Sequence, residues 1–152
     1  MANTFTQIYV HFVFSVKNRE TLLNDNFRDE LHKYITGIVK NRKCKLLSIN
    51  SVDDHMHILI ALHPEKSVST LVKEIKSVSS KFINENKFMK GKFQWQEGYG
   101  AFSYSNSQVG TVKNYINKQK EHHRKKSFKE EYVEFLQKFD IDFDPKYVFD
   151  ID

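Results

Sequence analysis

A chain of 152 residues, 39% hydrophobic and 28% charged, is sized for one ordinary domain with a buried core. No apolar run approaches the ~18–20 residues that cross a bilayer, and a single cysteine, Cys44, excludes an internal disulfide. Lys and Arg number 24 against 19 Asp and Glu, a net +5, which suits a polyanionic partner without identifying one.

The first seven residues lack a basic region followed by an apolar core, so no secretory signal is expected, and the lone cysteine suits a reducing cytoplasm. Gln7 to Val16 is rich in β-branched and aromatic residues and predicts the first strand, with His11 inside it. A helix follows from Asn24 or Asp25 to Lys40, with apolar positions Phe27, Leu31, Tyr34, Ile35 and Ile38. Residues 45–50 form a second strand, and Asn50 to Asp54 connect it tightly to a third, opened by His55-Met56-His57. Ser67-Val68-Ser69-Thr70 opens a second helix running to Asn84, whose polar face carries Lys73, Lys76 and Lys81. A loop leads through Trp95 to a fourth strand at Gly100–Ser105.

The order β-α-β-β-α-β predicts an α+β fold of the ferredoxin-like, split β-α-β kind: an antiparallel sheet with helices on one face. Its other face is expected to stay free for a ligand or a second subunit. Two further helices follow, one from Ser107 to Lys120 and one announced by the capping box Ser127-Phe128-Lys129-Glu130 and running to Phe139. No repeat or linker separates another domain, so residues 1–152 are expected to form one.

Successive strand side chains face opposite sides, so His55 and His57 share a face, about 6.5–7 Å apart at Cα. Two imidazoles so spaced can converge on a metal ion. Sixty residues later, Tyr115 and Gln119 stand one helical turn apart in polar company, flanking a buried stripe of Val112 and Ile116. A tyrosine hydroxyl can attack a phosphodiester in line and leave a covalent phosphotyrosine, which a DNA 3′-hydroxyl can reseal without ATP. A divalent ion, Mg2+ or Mn2+, held by His55, His57 and the Gln119 carbonyl would offset charge on the phosphate. Basic residues crowd the same region: Lys118, His122, His123, Arg124, Lys125 and Lys126 are candidate DNA contacts. Asp53 and Asp54 are either orienters of the histidines or turn residues; His32 and His63 read as surface residues.

His55-Met56-His57 on a strand, followed by Tyr115-x-x-x-Gln119 on a late helix, resembles the single-tyrosine HUH transposases of bacterial insertion sequences. The segment from Trp95 to Ser103 is similar to that family as well. The resemblance spans nearly the whole chain. It implies a cytoplasmic, metal-dependent enzyme that cuts and rejoins single-stranded DNA at the ends of a mobile element, through a 5′-phosphotyrosine on Tyr115. It also implies His55, His57 and Gln119 as metal ligands, recognition of DNA hairpins, and a homodimer in which the tyrosine helix can complete the partner's site. Two rivals stand beside it. One is a non-catalytic single-stranded nucleic-acid-binding module that stacks bases on Phe12 and Phe14. The other is a metal-dependent phosphodiesterase that uses water, with Tyr115 structural.

Overall fold

A computed structural model describes residues 3–123 and 125–144; Arg124, the side chain of His122 and the tail from residue 145, with Tyr147 and Phe149, lie outside the described residues. Strands β1 (Tyr9–Ser15), β2 (Lys45–Ser51), β3 (His55–Ala61) and β4 (Gly100–Tyr104) form an antiparallel sheet in the order β2-β3-β1-β4. Helix α1 (Asp25–Asn41) joins β1 to β2 and α2 (Val68–Glu85) joins β3 to β4, which is the expected split β-α-β topology. Each helix starts where a side-chain oxygen accepts an otherwise unpaired backbone N–H. Asn24 caps α1 through Asn26, and Ser67 caps α2 through Thr70.

One sheet face carries Val10, Phe12 and Phe14 of β1 and Met56, Ile58 and Ile60 of β3. These pack against Phe27, Leu31 and Ile35 of α1 and Leu71, Val72 and Ile75 of α2. Phe12 and Phe14 are therefore core residues, 0% and 2% exposed, and the base-stacking platform that the binding-module reading requires does not exist.

The second face is not free. Besides His11, His55 and His57 it carries Val13, Leu59 and Phe102, which would expose an apolar patch if left in water. Helix α3 (Val109–Asn117) covers Leu59 with Val112 and Ile116. Helix α5 (Phe128–Lys138) covers Val13 and Phe102 with Phe128, Phe135 and Leu136. Gly100 admits α5: a Cβ there would lie 2.7 Å from Tyr132 Cε1. Helix α5 begins on the predicted capping box, Ser127 accepting from Glu130 N at 3.2 Å and Glu130 accepting from Ser127 N at 3.4 Å.

The continuous helix expected from Ser107 to Lys120 is interrupted. A one-turn 3-10 helix at Asn106–Gln108 leads into α3, and the backbone breaks at Lys118 before the short α4 (Gln119–His122). The cause lies in β2. Asn50 Nδ2 donates to the carbonyls of Ile116 (2.8 Å) and Asn117 (3.3 Å), and Ser48 donates to Asn117 Oδ1 (3.2 Å). The two Asn50 bonds take backbone acceptors that a continuing helix would use, so the carbonyls of Ile116 and Asn117 are not orphaned where α3 ends.

Candidate active site

The turn before β3 is pinned before the histidines begin. Val16 N donates to Asp54 O (2.8 Å), Leu23 N to Asp53 O (2.9 Å), and Arg28 pairs with the Asp53 carboxylate at 2.9 Å. Asp53 is thus a turn anchor, whereas Asp54 touches the site: its Oδ1 lies 2.7 Å from His55 Nδ1. With Nδ1–H donating to that carboxylate, the other ring nitrogen of His55 is left to face inward. The strand period puts His57 on the same side, and both rings are fully buried under α3 and α5. His57 Nδ1 meets His11 Nε2 at 2.8 Å, so the histidine of β1 backs that of β3.

Glu131 of α5, 2% exposed, is the hub of the arrangement. Its Oε1 lies 3.0 Å from His57 Nε2, 3.2 Å from His123 Nε2 and 3.3 Å from His55 Nε2. Its Oε2 accepts a hydrogen bond from the Tyr115 hydroxyl. The Tyr115 ring stands 5.9 Å from that of His57, centroid to centroid, within the same chain. Gln119, fully buried at the start of α4, remains tied to Tyr115 across the Lys118 break: its Nε2 donates to the Tyr115 carbonyl at 3.4 Å. A cavity of about 210 Å³ opens beside Tyr115 and Glu131, walled by Tyr104, Val112, Phe135 and Lys138.

Burial and the Glu131 charge both push the Tyr115 hydroxyl well above its usual range. Burial alone would raise the Glu131 carboxyl as well. The charge of His57 and hydrogen bonds from His123, His55 and His57 outweigh it and hold the group ionised, far below the carboxylate norm. His57 is lowered, chiefly by burial, while Asp54 and Glu131 raise His55 against its own burial. The resting pocket is thus a buried anion ringed by imidazoles, with a protonated phenol on its outer oxygen.

Among the described residues, His55, His57, His123 and Glu131 form the group of His, Cys, Asp and Glu whose ligand atoms all fall within 4.8 Å of one another. One further atom stands out: Gln119 Oε1 is a buried acceptor without a hydrogen-bond partner among the described residues. Imidazole nitrogens with a carboxamide or carboxylate oxygen are a donor set that fits a divalent ion.

The sequence-derived candidates thus divide. His55, His57 and the Tyr115 hydroxyl converge on Glu131, and Gln119 is tied to the Tyr115 backbone carbonyl. His123, grouped in the sequence with the DNA-contacting residues, instead turns its Nε2 to Glu131. Lys118 and Lys125 are exposed, and Lys126 pairs with Glu134 at 2.6 Å. His122 and Arg124 fall outside what is described. Lys76 of α2 does not face outward to a partner but caps the carbonyls of Gln96 and Gly98. His32 and His63 are half-buried rather than on the surface, His32 bonding Ser51 Oγ at 2.8 Å. Glu131 was missed, although a signal existed: it lies three residues after Phe128 and four before Phe135, on the apolar stripe of its own helix.

Residues 4–119 match the family of IS200-like transposases. The ISDra2 transposase TnpA of Deinococcus radiodurans is 21% identical over 118 residues, which cover 74% of this chain and 84% of the relative. Among solved structures, a chain assigned as a transposase of Deinococcus radiodurans superposes with a TM-score of 0.64 at 20% identity, over 78% of this chain and 95% of that one. A REP-associated tyrosine transposase bound to a REP hairpin superposes with a TM-score of 0.61 at 17% identity, over 81% and 73%. These two likenesses concern the fold. The family match spans well over half of the sequence and includes the histidine strand, Tyr115 and Gln119, and the chain therefore belongs to the IS200-like transposases, enzymes that cut DNA and transfer its strands.

Proposed function

We propose that this transposase is a single-tyrosine HUH enzyme, one domain over residues 1–152, that cuts and rejoins single-stranded DNA through a covalent 5′-phosphotyrosine on Tyr115. The observation that carries the reading is the convergence of His55, His57 and the Tyr115 hydroxyl on one buried carboxylate, beside a cavity that opens at the phenol. His55, His57 and Gln119 would hold a divalent ion, Mg2+ or Mn2+; the buried Gln119 Oε1, without a hydrogen-bond partner among the described residues, supports this assignment. When bound, that ion supplies Lewis-acid stabilisation of the charge developing on the phosphate oxygens.

The remaining chemistry belongs to the chain. Asp54 and His11 orient the two imidazoles from behind. Glu131 accepts the hydrogen bond of the Tyr115 hydroxyl and so fixes the position of its oxygen. The phenolate oxygen forms a bond to phosphorus as the 3′-oxygen of the adjoining nucleotide leaves, and the reverse attack by a 3′-hydroxyl reseals the strand. Lys118 and Lys125, with Lys126, His122 and Arg124 nearby in sequence, are assigned to the DNA backbone. The hairpin carried by the structurally similar REP-associated enzyme supports a folded single strand as substrate. Family resemblance supports a homodimer in which the tyrosine helix can serve the partner's site, and the free Cys44 thiol suits work in the cytoplasm.

The test is incubation of a single-stranded hairpin oligonucleotide with native protein and Tyr115→Phe in Mn2+ or Mg2+, resolved on a denaturing gel. A protein–DNA adduct with the native chain alone is expected. Cleavage that persists in the variant would instead indicate attack by water.

A further inference from the structure

Four donors meet at one point in this pocket, and only two belong to the histidine motif. Asp54 Oδ1 lies 2.7 Å from His55 Nδ1 and holds the ring with its Nε2 turned inward, 3.3 Å from Glu131 Oε1. His57 Nε2 and His123 Nε2 approach the same oxygen at 3.0 and 3.2 Å. In a tetrahedral site with bonds of about 2.0–2.1 Å, adjacent ligand atoms stand about 3.3–3.4 Å apart. The three nitrogens stand at about that spacing from Oε1, and all four atoms lie within 4.8 Å of one another, so a small inward shift of the imidazoles would let one ion gather them.

We propose that His123 and Glu131 join His55 and His57 in a three-imidazole, one-carboxylate cation site, so that α5 is part of the metal centre. The inference rests on the reading of His55 and His57 as metal ligands and, in the DNA-free protein, puts His123 and Glu131 where that reading puts Gln119. Its chemistry favours a borderline ion such as Zn2+, Co2+ or Mn2+ over Mg2+, because imidazole nitrogen suits the former and hard oxygen the latter. The second oxygen of the same carboxylate holds the Tyr115 hydroxyl, so the site ties nucleophile, cation and α5 into one unit.

The full-length protein, stripped of metal and free of DNA, is titrated with Co2+ and separately with Cu2+. The native chain is expected to bind one Co2+ with the intense visible bands of four-coordination, and Zn2+ should displace it. Glu131→Gln and His123→Asn should each weaken binding by at least about tenfold and fade the bands. The Cu2+ spin-resonance spectrum should report three imidazole nitrogens in the native protein and two in His123→Asn. Co2+ binding unchanged in both variants, with loss only in His55→Ala and His57→Ala, overturns this proposal and leaves the underlying reading intact. No binding by the native chain, or binding that survives both of those alanine variants, overturns the two together. Should the position 131 variant fail to fold, the native nitrogen count decides: three supports the added ligands, two rejects them.

Discussion

His32 shows how burial, without any role in the site, makes a histidine matter to stability. Its ring is half-buried against Ser51, and burial lowers its pKa from 6.5 to about 4. The folded chain keeps it neutral, whereas the unfolded chain takes up a proton as the pH falls through 6.5. Its contribution is therefore present above pH 6.5 and is lost progressively down to about pH 4. Between pH 7.5 and 5, the urea midpoint of the native protein should fall further than that of His32→Gln; equal falls would contradict the assignment. The same single-residue view separates what the sequence discloses from what it hides. His55 and His57 are legible because a strand alternates faces, and Tyr115 with Gln119 because a helix repeats every turn. Glu131 and His123 are not, since a turn and a second helix bring them in from positions no local period links to β3. Only the misfit of a carboxylate on an apolar stripe marks Glu131 in advance.

At the scale of elements, caps and strand alternation are readable and tertiary captures are not. The starts of α1, α2 and α5 follow from Asn24, Ser67 and Ser127, whose side chains accept the first free N–H groups. The break at Lys118 depends on Asn50 and Ser48, side chains of a strand more than sixty residues away, and no local signal announces it. Replacing Asn50 with Ala should cost about 1 kcal/mol in chemical denaturation, because two carbonyls lose their donor. Ser127→Ala removes one half of the α5 cap and should also cost about 1 kcal/mol. As α5 carries Glu131, that loss should appear as faster amide exchange across 128–138, with α1 unaffected. Uniform acceleration throughout the chain would show that α5 is not a separately opening unit. The covering of the second sheet face was hidden for a related reason. Val13, Leu59 and Phe102 read as ordinary strand residues until α3 and α5 are seen to bury them.

For the whole molecule, the net charge of +5 matters through where it is exposed. Lys118 and Lys125 stand in solvent next to the site, whereas Lys126 is occupied by Glu134 and His123 by Glu131. Each phosphate contact on a single strand contributes about −0.7 to the slope of log affinity against log salt. Replacing Lys118 and Lys125 together with Ala should therefore flatten that slope by about 1.4. An unchanged slope would move the DNA path elsewhere on the surface. The fold thus does two jobs with one sheet: α1 and α2 close the apolar face, and α3 and α5 carry a phenol and a carboxylate to the histidines on the other. The most direct test of that account is mass spectrometry of the protein digested after reaction with a hairpin oligonucleotide in Mn2+. The account predicts one modified peptide, bearing a 5′-phosphonucleotide on Tyr115. The same modification on Tyr99, Tyr104 or Tyr132, or cleaved DNA with every tyrosine unmodified, would contradict it.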